Sequence, residues 1–291
     1  MAGGSHPPLD PDYDAIYPGK ARWMNLGYSE SPNAFAEQTY SEQCENLANQ
    51  LAKTADLQQG DYVIDVGCGF GLQDIFFATC FPGIKIHAIN ISPNQIRQAS
   101  ELLEHADAET RNAIQFSVAD AVDTKLEGMC ADKVLSLESA FHYQTREKFF
   151  QEAFRLLKPG GTLALADIVS GTKWISPKVP NAIWESRILH RLRRLAYHFQ
   201  VGKNQEQKPS ANNYSIDVYR EKLKTAGFIE IEIKKISQHI CIWPNQRYAK
   251  HAKWIHFLPR PWQHPSYQLS LFIPTMARMD VDYYLVKAVK P

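Results

Sequence analysis

The chain has 291 residues, 44% of them apolar and 22% charged, which suits one large domain or one domain carrying an insertion. A formal net charge of +1 excludes a global pull toward nucleic acid or anionic membrane, so any such attraction has to be local. No segment approaches the roughly 20 unbroken apolar residues of a membrane-spanning helix.

The start, Met1 to Asp10, is polar and rich in Gly and Pro, lacks the apolar run of a secretory signal, and is set aside. The five cysteines (Cys44, Cys68, Cys80, Cys130 and Cys241) are odd in number, scattered, and without metal-ligand spacing. They read as reduced thiols of a cytoplasmic protein, and no metal is expected.

From Asp61 the chain alternates short β-rich runs with helical stretches. Asp61 to Val66 reads as a first strand, followed by a glycine cluster and a helix through Ala78. Ile84 to Ile89 is a second strand, and Pro93 starts a periodic helix to Leu103. Ile114 to Val118 and Val134 to Leu137 are the third and fourth strands. Arg146 to Leu157 is a helix closed by Lys158-Pro-Gly-Gly161, and Thr162 to Ala166 is the fifth strand. This pitch predicts a parallel sheet covered on both faces. Residues 171 to 214 interrupt it with prolines, tryptophans and no strand signal. The alternation then resumes with a helix over Ile216 to Ala226, a stop at Gly227, a strand over Ile229 to Lys234 and a last one over Val281 to Val289. The prediction is an α/β domain with a helical cap inserted after the fifth strand, and a segment 241–280 packed against that cap.

The sharpest motif is Val63-Ile-Asp-Val-Gly-Cys-Gly-Phe-Gly71, an apolar strand running into Gly-x-Gly-x-Gly. Glycine allows a tight turn and lets a ligand touch backbone. Nucleotide-binding units use Gly-x-Gly-x-x-Gly against a pyrophosphate, so the spacing here is compatible with a ligand that carries no phosphate. Three further strand ends sit where an adenosine ligand needs them. Asn90-Ile-Ser-Pro-Asn-Gln95 stands where ribose hydroxyls are met, Ala119-Asp-Ala121 offers a carboxylate to an adenine amino group, and Leu137-Glu-Ser139 follows the fourth strand.

With these residues the sequence resembles the class I S-adenosylmethionine (SAM)-dependent methyltransferases over roughly Asp61 to Val169, and more weakly to the end. It is most similar to those acting on small molecules of the polyketide, macrolide-sugar, sterol, phenolic or lipid-hydroxyl kind. Asn25-Leu-Gly-Tyr28, Asp65 to Gly71 with Gln73, Asn90-Ile-Ser92, Glu138-Ser-Ala-Phe-His142 and Leu157-Lys-Pro-Gly-Gly161 carry the resemblance. It implies a Rossmann-like, seven-stranded, mostly parallel sheet, with SAM as cofactor and S-adenosyl-L-homocysteine as product. Asp65, Gly67 and Gly69 would line the methionine moiety, Asn90 the ribose, and Asp120 and Ala121 the adenine. Cys68, Gly71, Gln73, Ile91, Gln95 and Glu138 complete the cofactor set, and Tyr28, in an N-terminal segment 1–33, would fold back over it. Many relatives carry an acid where this chain has Asn90, and a neutral amide offers one acceptor and two donors instead.

Methyl transfer from a sulfonium is an in-line displacement for which the protein mainly supplies alignment. For a hydroxyl acceptor, His142 after the fourth strand is the candidate base, its ordinary pKa suiting work near neutrality. Asp167, ending the fifth strand, would orient its imidazole; similar O-methyltransferases place a His and, in some, an Asp at these positions. The alternatives are C-methylation of an isoprenoid or activated ring, with Glu138 or aromatics steadying a developing cation, and a SAM-binding protein without catalysis.

Trp174, Trp184, Trp243, Trp254 and Trp262 lie beyond the cofactor half and suit an apolar pocket for a small apolar or lipid-like substrate. Residues 181–200 put Trp184, Ile188, Leu192, Leu195 and Phe199 on one helical face and Arg187, Arg191 and Arg194 on another. That pattern fits a solvated basic face, a transient membrane contact or a grip on a diphosphate. No nucleic-acid-binding signature occurs, and a homodimer stays open.

Overall fold

The computed structural model describes residues 23–31, 38–170, 212, 214–240 and 281–291. Nearly all of the cap, with its amphipathic stretch and its tryptophans, lies outside them, as does the segment 241–280.

A first helix, α1 (Tyr40–Ala55), precedes the sheet. Thr39 and Glu42 close a reciprocal capping box at its start, and Asp56 ends it in the left-handed conformation. Its buried face runs Cys44, Leu47, Ala48, Leu51, Ala52, Ala55, at helical spacing. Then follow β1 (Tyr62–Val66), α2 (Leu72–Cys80), β2 (Lys85–Asn90), α3 (Pro93–Leu103), α4 (Ala108–Ala113), β3 (Ile114–Val118) and β4 (Ala131–Leu137). After a 3-10 turn at Ala140–His142 come α5 (Arg146–Leu156), β5 (Leu157–Ser170), α6 (Ile216–Thr225), β6 (Ile229–Lys235), a second 3-10 turn at Ser237–His239, and β7 (Val281–Val289). Side chains of Ser92, Asp107, Thr145 and Ser215 cap α3, α4, α5 and α6.

The seven strands form one sheet in the order β3-β2-β1-β4-β5-β7-β6. All neighbours are parallel except β7, which runs antiparallel to both β5 and β6. The expected Rossmann-like, mostly parallel sheet of seven strands is therefore present. The strand β5 is longer than predicted. Lys158-Pro-Gly-Gly161 does not lie outside the sheet but inside its first half, with a register shift against β4 and Gly160 at φ 78°.

Alternate residues of each central strand feed two cores. Val63, Leu135, Ala164 and Leu285 face α1 and α2, whereas Ile64, Val134, Leu163 and Val286 face α5 and α6. Burial on both faces explains why these strands read as continuous apolar runs. No helix among the described residues is long and apolar enough to cross a membrane.

The chain steps outward from β1 to β2 and β3, then returns to place β4 on the other side of β1. The ends of β1 and β4 therefore flank the crevice where sheets of this type take ligands.

Candidate active site

β1 ends at Val66, and the chain turns sharply through Gly67 (φ 80°), Gly69 (φ 59°) and Gly71 (φ 74°) into α2. The turn is tied to the neighbouring strand, since the amides of Gly67 and Cys68 donate to the carbonyl of Ile89 at 2.8 and 3.1 Å. A Cβ on Gly67 would lie 2.5 Å from Ser139, and one on Gly71 would lie 2.3 Å from the ring of Phe116. These two glycines thus combine a left-handed backbone with close approach of β4 and β3. Met24 covers the tip of the turn, its sulfur 3.2 Å from where a Cβ on Gly69 would stand.

Asp65 is wholly buried within β1, and its Oδ2 accepts a hydrogen bond from the amide of the buried Gln73. Its Oδ1 has no donor. Burial pushes this carboxyl up to about 6, against the opposing pull of the hydrogen bond from Gln73. The Cys68 thiol beside it is likewise buried and held protonated, first by burial and then by the two carboxyls.

At the tip of β2, Asn90 is buried and donates to Gln95 Oε1 at 2.6 Å, while its Oδ1 accepts from the Ser92 amide at 3.2 Å. One donor and further acceptor capacity remain to it. Ile91 is 54% exposed at the same edge, an apolar side chain held out at the mouth of the crevice. After β3, Asp120 is exposed and accepts from the amide of Val122 at 3.0 Å, with Ala121 buried behind it.

Glu138 follows β4 with φ 51°, a left-handed conformation that costs a side chain about 1–2 kcal/mol. Its Oε1 accepts from the amide of Leu26 at 2.8 Å and from the hydroxyl of Tyr283 at 2.7 Å. Burial pushes it up to about 7 despite these bonds. Next to it, Ser139 and Tyr143 both donate to the carbonyl of Val66, at 3.0 and 2.7 Å, fixing the end of β1 against β4.

His142 closes the 3-10 turn, exposed, with its ring 4.1 Å from that of Phe141. The surrounding protein mass pulls its pKa below the ordinary value; the charge of Asp167 opposes this and that of Arg146 adds to it. Contrary to the expectation from sequence, Asp167 does not hydrogen-bond the imidazole. Its Oδ2 takes Arg146 Nε at 2.7 Å and the Tyr219 hydroxyl at 3.2 Å, and its Oδ1 takes Arg146 Nη2 at 3.2 Å and the Ile168 amide at 2.9 Å. The pair is sealed, with side-chain exposures of 1% and 0%. Its influence on His142 is through space.

Tyr28, expected to fold back over the cofactor, is buried. Its ring stacks on His239 at 5.0 Å, its hydroxyl donates to Glu30 at 3.3 Å, and Tyr28 forms a bridge with Ile240. Met24 of that segment lies against the glycine turn, and the Leu26 amide donates to Glu138.

A profile of the methyltransferase domain matches residues 64–165, from β1 to β5. Erythromycin 3''-O-methyltransferase of Saccharopolyspora erythraea is 32% identical over 229 residues, which make up 79% of this chain and 68% of that protein. The chain belongs to the class I SAM-dependent methyltransferases. The 27-O-demethylrifamycin SV methyltransferase of Amycolatopsis mediterranei is 30% identical over 74% of this methyltransferase and 70% of its own length. A cyclopropane synthase from Mycobacterium tuberculosis shares the fold at a TM-score of 0.67, with 16% identity over 97% of this chain and 95% of that one. The expected cofactor, SAM, follows from the family. The site of this methyltransferase fits it: an orphaned acid oxygen on Asp65 suits an ammonium group, and the bare side chain of Ile91 suits a base ring.

Three contributors were not singled out in the sequence. Met24 precedes the first strand, Tyr283 comes from the last, and Asp74 lies in α2. Only Asp74 carried a local signal, a lone acid in the apolar run Phe70 to Cys80.

Proposed function

We propose that this methyltransferase transfers the methyl group to a hydroxyl of a small, largely apolar molecule, with His142 taking the hydroxyl proton. The observation that carries the reading is the place of His142, exposed in the turn that follows β4, at the edge of the sheet where the strand ends gather; the lowered pKa supports it, since it favours the neutral imidazole that can accept a proton. The acceptor class is supported by relatives whose names specify O-methylation of erythromycin and methylation of 27-O-demethylrifamycin SV.

When bound, SAM supplies an electrophilic methyl group on a sulfonium. The chain's own work is alignment and proton handling. The glycine turn and Asp65 receive the methionine end, Asn90 the ribose, and Asp120, Ala121 and Ile91 the adenine. His142 removes the proton as the acceptor oxygen attacks, and the nearby charge of Asp167 favours the imidazolium that results. Arg146, clamped on Asp167, limits that help.

Replacing His142 with Ala tests the assignment. The expected result is a loss of about 10²–10⁴-fold in kcat with cofactor affinity unchanged. Full activity of His142→Ala would remove the base from this mechanism.

A further inference from the structure

Asp74 stands in the first turn of α2 and is fully buried behind the glycine turn, where its carboxyl faces that of Asp65. Gln73 satisfies one oxygen of Asp65. That leaves Asp65 Oδ1 and both oxygens of Asp74 without a donor. Orphan acceptors at such depth are costly, and two ionised carboxylates in contact are costlier still.

No lysine, arginine or histidine among the described residues bonds to either carboxyl. On the elements packed against α2, His87 of β2 is held by Ser117 at 2.8 Å, and Lys85 of β2 by the carbonyl of Asn112 at 3.0 Å. Arg111 of α4 is spent on the carbonyls of Glu104 and Ala106, and the charge of Glu45 of α1 is felt by Cys80, at the other end of α2 from Asp74. Two buried ionisable neighbours, the Cys68 thiol and the Tyr143 phenol, are kept neutral by burial. Among the described residues the local sum is therefore negative, and none of their charges balances it.

We propose that Asp65 and Asp74 hold one proton between them in the cofactor-free protein and release it when the cofactor's ammonium group seats against Asp65. The inference rests on the placement of the methionine end at Asp65 argued above. It makes Asp74 a positioning residue that acts through Asp65. In the free protein one carboxyl donates to the other, which supplies the missing hydrogen bond. On binding, the ammonium supplies positive charge in place of the proton, which passes to solvent, and no covalent bond to the ligand forms. Burial, and for Asp74 also the charge of Asp65, raises both groups and so favours a retained proton. Cofactor affinity then rises with pH, by up to about tenfold per unit, wherever the free pair is protonated and the bound pair is not.

The test is calorimetry of S-adenosylhomocysteine binding near pH 7 in two buffers of different ionisation enthalpy, which counts protons. The wild type should release up to about one proton per ligand. Asp74→Asn should bind and release none, whereas Asp132→Asn, at an acid held by Lys158 and the Tyr62 amide, should release as many as the wild type. Binding without proton release in the wild type overturns the inference, as does unchanged release in Asp74→Asn or its loss in Asp132→Asn. Should Asp74→Asn fail to fold, Asp74→Leu, which removes the carboxyl and its need for a donor together, reads the same loss of release. Absence of binding by the wild type takes down the placement of the cofactor, and this inference with it.

Discussion

Replacing Asp167 with Asn separates two roles that the same carboxylate can play. The sequence suggests a partner for the imidazole of His142, whereas the structure shows both oxygens on Arg146, Tyr219 and the Ile168 amide. The guanidinium also holds the carbonyls of Ile168 and Asn212, at 2.8 and 2.6 Å, so it cannot swing out to water without dismantling the junction of β5 and α5. Asn keeps the shape but removes the charge, leaving a cation with 1% side-chain exposure unbalanced. Breaking a buried pair in this way costs about 3–5 kcal/mol, a factor of roughly 10² to 10³ or more in the folding equilibrium. Urea unfolding of Asp167→Asn should show that loss as a lower midpoint with little change in slope. The proton affinity of His142 should also fall, because Asp167 raises it and Arg146 lowers it. The acid limb of the rate profile then moves to lower pH, while the plateau changes little. An unchanged unfolding midpoint together with a 10³–10⁴-fold drop in kcat would refute this reasoning and restore Asp167 as the direct partner of the base.

Two further outcomes follow from the geometry. Gly71→Ala should cost about 1–3 kcal/mol for its Cβ at 2.3 Å from Phe116, and about 1–2 more for φ 74°, both read from chemical denaturation. A wild-type midpoint would mean that the turn is not clamped against β3. Glu138 has its folded pKa raised from 4.5 to about 7, so the native state binds the extra proton and wild-type stability declines as pH rises between those values. Glu138→Gln lacks that decline; relative to wild type it should gain stability across the interval by at most about 3 kcal/mol, with parallel curves as the refuting result.

The sheet was largely legible because five of its strands are buried on both faces or bounded by turn residues. Ile114–Val118 and Pro93–Leu103 coincide with the predicted limits, the helix because Pro93 and the Ser92 cap mark its start unambiguously. Elsewhere the limits moved. Lys158-Pro-Gly-Gly161 carries the residues of a helix stop, yet it lies within β5 as the segment skipped between the pairs Leu157–Ala131 and Thr162–Lys133, tied instead to Lys290. Helix α1 was missed although both signals were present, the Thr39/Glu42 capping box and the spacing of Cys44, Leu47, Leu51 and Ala55. Alanine and cysteine make that face weakly apolar, and it becomes visible as a core face only with β4, β5 and β7 beneath it.

The site divides along a different line. Residues whose position is set by a strand end could be read locally, because the parallel sheet brings the ends of β1, β2, β3 and β4 to one edge whatever the rest of the chain does. Partner choice is not local. Asp167 ends up with Arg146 and Tyr219, 21 and 52 residues away in sequence, and Glu138 with Tyr283, 145 residues away. An acid at a strand end can face a base, an arginine or a second acid with equal ease in sequence terms. Burial and charge balance choose among these: Asp167 has a cation and is settled, Glu138 has two neutral donors and is raised to about 7, and Asp65 has another carboxyl and is left short of a donor. The degree to which each acid is left unsatisfied therefore ranks them for function. By that ordering Asp167 maintains the architecture, while Asp65 and Asp74 are the pair that a cationic cofactor would complete.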